Sequence, residues 1–189
     1  MRWDGLFADL ESQALALDEA QRSGEVAERA RSEVGRLRLV DRLRPAVDQL
    51  IRVECAGLTV RGSVRRVGSD WLLLEEEAGG ELVLALSAIT AVAGLSRVSA
   101  VPGSEGVLEA RLGLRSVLRT IAADRSAVRV VLRDGTALDG TFDRVGADFV
   151  ELAVHPGGEL RRRRDVRDVV VIALSGVVSV RRRDRSGVD

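Results

Sequence analysis

Residues 128–180 decide the fold, and this stretch opens with VRVVLRDGTALDGTFDRVGADFVEL. Its apolar residues come in short, valine-rich runs that are interrupted at Asp134-Gly135, Gly140 and Gly146. Branched and aromatic residues favour strands, and Asp-Gly pairs favour the tight turns of antiparallel hairpins. The stretch therefore predicts several short antiparallel strands that are joined by tight turns.

The same pattern occurs once earlier in the chain, at one constant offset, with Trp71 in the place of Phe149. Self-similarity at a fixed spacing indicates a repeated structural unit, so we predict that one small β module has been duplicated. The other matched positions are Gly57 with Gly135, Gly62 with Gly140, Arg66-Val67-Gly68 with Arg144-Val145-Gly146, Asp70 with Asp148, Leu74 with Leu152, and Gly79-Gly80-Glu81-Leu82 with Gly157-Gly158-Glu159-Leu160.

Outside the repeat the apolar residues follow helical spacing. Trp3, Phe7 and Leu10 begin an amphipathic pattern, Pro45 ends a second helical stretch, and residues 108–123 carry a third apolar face. We expect a mainly β fold with an N-terminal α-helical segment and two five-stranded β-barrels, each preceded by a helix. The predicted segments are an N-terminal helical segment (1–46), β module one (47–95), a linker and helix (96–125), β module two (126–182) and a charged tail (183–189).

The composition limits the possible partners. Hydrophobic residues make up 46% of the chain, which is enough for packed cores. The 29 basic residues are all arginine and are balanced by 29 acidic ones, so the formal net charge is zero. A general polyanion binder would carry a basic excess, so any role with nucleic acid must depend on a local patch.

Cys55 and His155 are the only cysteine and the only histidine. One of each cannot form a disulfide within the chain or a structural zinc site, and we expect His155 on a surface turn. The first residues include acids and lack a long apolar run, and no run approaches the roughly 20 apolar residues of a membrane span. We therefore expect a cytoplasmic protein with no metal site, no cofactor and no membrane segment.

No catalytic arrangement stands out in the sequence. There is no phosphate-binding loop and no nucleophile with a partner in a known motif, and the acids lie in charged runs that are typical of solvated faces. We predict that the protein is not an enzyme and has no catalytic residues.

The glycine spacing in both modules resembles the first motif of the Sm-like (LSm and bacterial Hfq) fold. The second motif of that family, a short strand, a turn and a final Ile/Val-rich strand, is similar to residues 82–92 and 160–171. The matching positions of the first motif are Gly135, Gly140, Phe142, Val145 and 149–152 in module two, and Gly57, Gly62, Val64, Val67 and 71–74 in module one.

This resemblance implies a tandem pair of Sm-like barrels that binds RNA through the turns between strands two and three and between strands four and five. The run Arg161-Arg162-Arg163-Arg164 is the most informative charged stretch, because two of its four side chains would share one face of a strand. Our first hypothesis is a non-enzymatic RNA-associated protein that binds single-stranded RNA through this strand. The candidate RNA-binding residues are Arg144, Arg161, Arg162, Arg163, Arg164, Arg167 and Phe149.

The alternative hypothesis is a protein-interaction or assembly scaffold that has no direct role with nucleic acid. An N-terminal helix with a wide apolar face must bury that face somewhere, either by capping one of the barrels or by docking a partner, so Trp3, Phe7 and Leu10 are candidate partner-docking residues. The acidic run Glu75-Glu76-Glu77 could meet a basic strand of a second chain. We expect either a homo-oligomer or an intramolecular pseudo-dimer, because Sm-like modules pair through their edge strands.

Overall fold

The computed structural model describes residues 19, 28, 32–103, 112–155 and 168–183, and all of its strands belong to one compact unit, Arg38–Asp189. Met1–Leu37 forms a separate unit. The predicted docking residues Trp3, Phe7 and Leu10 lie outside the described residues, and so do Arg161, Arg162, Arg163, Arg164 and Arg167.

The described part of the compact unit contains ten strands and two α-helices, and a one-turn 3-10 helix precedes β1, β5 and β10. The first five strands lie within residues 47–95, the range predicted for module one. In chain order the elements are α1 (Leu39–Leu43), β1 (Leu50–Cys55), β2 (Leu58–Val67), β3 (Trp71–Glu76), β4 (Glu81–Ala85), β5 (Ile89–Ala93), α2 (Leu114–Asp124), β6 (Ala127–Leu132), β7 (Ala137–Val145), β8 (Phe149–Val154), β9 (Asp168–Ala173) and β10 (Val177–Arg182).

All ten strands form one antiparallel sheet in the order β5-β1-β2-β3-β4-β10-β6-β7-β8-β9. The first half, β1–β5, and the second half, β6–β10, therefore have the same internal order. The two halves meet where β4 pairs with β10, with Leu82 opposite Arg181, Val83 opposite Val180, and Leu84 opposite Ser179.

The prediction of two closed five-stranded barrels, each preceded by a helix, is wrong. Closing either half would require its fourth strand to pair with its own fifth strand, but β4 pairs with β10 instead and the sheet stays open. The glycine spacing predicts strands and turns, but backbone N–H and C=O groups are the same in every strand, so the spacing does not fix which final strand β4 pairs with. In the structure that partner is β10 of the second half.

The fourth strand of the second half also differs from the sequence prediction. The repeat aligned Glu159-Leu160 with the start of β4, but β9 as described begins at Asp168. Ala173 pairs with Phe149 as Ala85 pairs with Trp71, so β9 follows β8 at a longer distance in the chain than β4 follows β3. The connecting segment, residues 156–167, lies outside the described residues.

One apolar core runs through both halves. It contains Leu72 and Leu84 of the first half together with Leu118, Leu152 and Val180 of the second half, all almost fully buried. A shared core means that the halves stabilise one another through apolar burial as well as through backbone pairing.

Cys55 at the end of β1 is part of this core, and burial raises the pKa of its thiol above the ordinary value of 9.0. The folded state thus favours the neutral thiol. Its contribution to stability is complete below pH 9.0 and is lost as the pH rises through the raised pKa.

We therefore predict that Cys55 is inert to Ellman's reagent in native buffer and titrates as one thiol in denaturant. The buried position excludes the reagent, and the thiolate is the reactive form. The release of the coloured anion measures both reactions. Rapid labelling of the native protein at neutral pH would contradict the burial of this side chain.

Candidate functional site

Of the predicted RNA-binding residues, the structure describes only Arg144 and Phe149. Arg144 makes a two-pronged ion pair with Glu151, with both N–O distances at 2.8 Å, and these hydrogen bonds raise the pKa of its guanidinium. Phe149 is half-buried at the start of β8. The Arg144 guanidinium is thus paired with a carboxylate of β8, and the part of Arg144 and Phe149 in RNA binding stays a prediction.

His155 is buried, so the expectation that it lies on a surface turn is wrong. Its Nε2 atom lies 2.9 Å from the Thr141 hydroxyl, and its backbone N–H donates to the Asp139 carbonyl. In the described ranges no group of three or more His, Cys, Asp or Glu side chains is placed to hold a metal ion.

The two halves meet at a contact that we call the joint, where side-chain bonds add to the pairing of two strands. Besides the β4–β10 pairing, Arg181 of β10 makes a two-pronged ion pair with Glu76 of β3, with both N–O distances at 2.7 Å. Arg133 of the second half donates to the carbonyl and the hydroxyl oxygen of Ser87, at 3.1 and 2.9 Å. The joint is therefore specified by side chains as well as by backbone.

The turn between β2 and β3 also contacts α2 at the joint. The indole N–H of Trp71 donates to the Leu112 carbonyl at 2.7 Å, and a carboxylate oxygen of Asp70 accepts the Leu114 N–H at 2.7 Å. The first amides of a helix have no partner inside the helix, so Asp70 satisfies one of them. Trp71 and Leu114 are both buried in the shared core.

The outer strand β9 is the counterpart of β4, but on one side it has no neighbour among the described strands. The register places Val171 where the first half has Val83. Val83 is 7% exposed because β10 covers it, whereas Val171 is 63% exposed and Val169 is 48% exposed. β9 thus presents exposed apolar side chains and a backbone edge that no strand of the described ranges pairs with.

The outer strand β5 is the counterpart of β10 and is uncovered in the same way. Thr90 and Ala91 are exposed, whereas Val178 and Ser179, at the same positions of β10, are buried. A groove of about 410 Å³ lies beside this edge. It is lined by Leu39, Arg42, Ile89, Thr90, Ala91, Val92, Gly94 and Leu95.

The helices α1 and α2 differ in exposure in the same way as β5 and β10. The sequences RLGLRSVL and RLRLVDRL place Leu39 and Leu43 of α1 where α2 has Leu114 and Leu118. Leu43 and Leu118 are both fully buried, but Leu39 is 39% exposed and Leu114 only 6%. The difference arises because the joint covers α2 and nothing in the described chain covers α1 to the same extent.

Sequence reasoning did not identify these edges as the site. The signal available was the run VVVIA at 169–173, which is apolar at successive positions like an interior strand.

Among the described residues no helix combines the length and the apolar character that crossing a membrane requires. No protein-family model, curated protein or solved structure matches this chain. The Sm-like resemblance therefore stays a prediction. The joint and the outer strands β5 and β9 are the basis for proposing a function.

Proposed function

We propose that this protein is a non-enzymatic assembly scaffold whose copies join head to tail, β9 of one copy pairing with β5 of the next. The observation that carries the proposal is the joint itself. There β4 pairs with β10, and the positions of β4 and β10 in their halves are the positions of β9 and β5, which supports the same pairing between copies. Each copy would repeat that pairing once more at each outer edge.

The joint supplies the register of the proposed contact. Val83 faces Val180, so the counterparts Val171 and Val92 face each other between copies. Ile172 then faces Ala91, and Val170 faces Ala93. The Leu174 N–H donates to the Asp148 carbonyl at 2.7 Å, and hydrogen-bonded pairs alternate along antiparallel strands. The N–H and C=O of Val171 consequently point away from β8 toward the open edge.

The side chains at the proposed contact differ in charge from those at the joint. At the joint, Glu76 and Arg181 form an ion pair, whereas the matching positions at the outer edges are Val154 and Ala93. The contact between copies is therefore apolar where the joint is charged. An exposed apolar edge strand is a site where another strand adds, so it needs a specific partner.

Val171→Pro tests the proposal directly, with Val171→Thr as the matched control. Proline removes the outward N–H without taking a hydrogen bond from β8, whereas threonine keeps both the N–H and the branched shape. We expect the wild type and the threonine variant to associate and the proline variant to have a monomeric mass in light scattering after size exclusion. A monomeric wild type, or equal association of the two variants, would refute the proposal.

Val92→Pro blocks the other edge and turns the test into a complementation experiment. Val171→Pro keeps only the β5 edge, and Val92→Pro keeps only the β9 edge. Each should be monomeric alone, and an equimolar mixture should give a one-to-one dimer that does not grow further. Circular dichroism of each variant confirms that the sheet is retained before mixing.

The RNA hypothesis stays a prediction, since Arg161, Arg162, Arg163, Arg164 and Arg167 lie outside the described residues. We further infer a cytoplasmic setting, in which the single buried thiol of Cys55 stays reduced.

A further inference from the structure

We propose that Phe149 of a second copy occupies the groove beside α1 and β5. The inference rests on the proposed head-to-tail pairing and adds the side chain that anchors it. The groove is lined by Leu39 and Arg42 of α1 and by Thr90, Val92 and Leu95 at the edge. Arg42 also donates to the carbonyls of Ser96 and Val98. These hydrogen bonds hold α1 against the segment after β5 in the single chain, so the groove is preformed.

Trp71 shows what the anchor does at the joint. It stands at the start of β3, is 5% exposed, and donates from its indole to the carbonyl of Leu112 just before α2. The counterpart of Trp71 is Phe149, and the counterpart of α2 is α1. Phe149 is half-buried and, within the described chain, is not among the core residues. Phe149 therefore holds the position of Trp71 in the second half, but within the described chain its ring lies outside the core in which Trp71 packs beside α2.

The two turns that carry these aromatic residues have the same geometry. Gly68 N–H donates to the Trp71 carbonyl at 2.9 Å, and Gly146 N–H donates to the Phe149 carbonyl at 2.8 Å. In both turns a side chain added at the glycine would collide with the aromatic ring, so both rings lie across their glycine. A second copy placed by the β9–β5 register would therefore bring Phe149 to α1 as Trp71 is brought to α2.

The complementary pair of edge variants allows the anchor to be tested in a dimer with one contact. In the Val92→Pro partner, Phe149 lies at the contact, whereas in the Val171→Pro partner it lies at the blocked edge. Phe149→Ala should weaken the dimer by about tenfold or more when placed in the Val92→Pro partner, because central aromatic anchors dominate interface energies. The same substitution in the Val171→Pro partner should leave the dissociation constant unchanged.

Leu39→Ala gives the reciprocal result, because the groove at the contact belongs to the Val171→Pro partner. It should weaken the dimer only in that partner. Phe149→Trp in the Val92→Pro partner should tighten the dimer several-fold, since the larger ring buries more apolar area. Sedimentation velocity across a concentration series measures all of these dissociation constants.

Three results would overturn the inference. An unchanged dimer with Phe149→Ala in the Val92→Pro partner would show that edge pairing proceeds without the anchor, which leaves the proposed function in place. Equal weakening in both partners would show that Phe149 acts only on the fold of its own chain. A mixture that forms no dimer before any anchor substitution would remove the proposed function and this inference together.

Discussion

Replacing Gly140 with alanine should destabilise the protein by about 3 kcal/mol or more, in the upper range for an overpacked site. Gly140 lies opposite Val154 on β8, and an added Cβ would come closer than 3.0 Å to the carbonyl oxygen of Ala153. Backbone in a neighbouring strand cannot move aside without breaking the β7–β8 ladder. The register of β7 against β8 shifts two residues later, between Phe142 and Arg144. The close approach therefore lies next to a bulge, where strands bend.

Urea denaturation monitored by circular dichroism measures this loss, and Gly176→Ala is the matched control. No atom lies within 4 Å of the position that a Cβ on Gly176 would take, and its backbone is outside the left-handed region. Alanine there should leave the free energy of unfolding nearly unchanged. A similar loss from both substitutions would mean that the tight approach of β7 to β8 is not the cause.

Replacing Trp71 with alanine should cost about 3–5 kcal/mol, the range for large aromatic residues in a core. The indole is almost fully buried in the core that both halves share, and its N–H bonds to Leu112. The substitution removes apolar burial and leaves a cavity at the joint. Because β4 and β10 meet beside this position, we also expect the joint to open before the rest of the sheet.

Phe149→Ala is the comparison for this prediction, because Phe149 holds the same position in the second half but is only half-buried. We expect it to cost about 1 kcal/mol in a single chain. Both substitutions should be measured in the Val171→Pro background, so that association does not add to either value. Equal losses for Trp71 and Phe149 would show that the contacts of Trp71 at the joint add nothing to the stability of the fold.

Local patterns predicted the parts of the fold that depend on nearby residues. The repeat predicted five strands in residues 47–95, where β1 to β5 lie, and the helical spacing before module two predicted α2 approximately. The repeat did not predict the position of β9, because the chain between β8 and β9 is longer than the chain between β3 and β4. His155 was also misplaced, since its burial depends on Thr141 and Asp139, which lie well before it in the chain.

The sequence by itself determined that the chain carries a duplicated β unit with apolar strands. Only the tertiary structure decided that the two units share one sheet, that β4 pairs with β10, and that β5 and β9 are left as outer strands. The physical reason is that strand pairing uses backbone N–H and C=O groups, which are the same in every strand. Which edges meet depends on side chains distant in sequence, such as Glu76 with Arg181 and Trp71 with the carbonyl of Leu112.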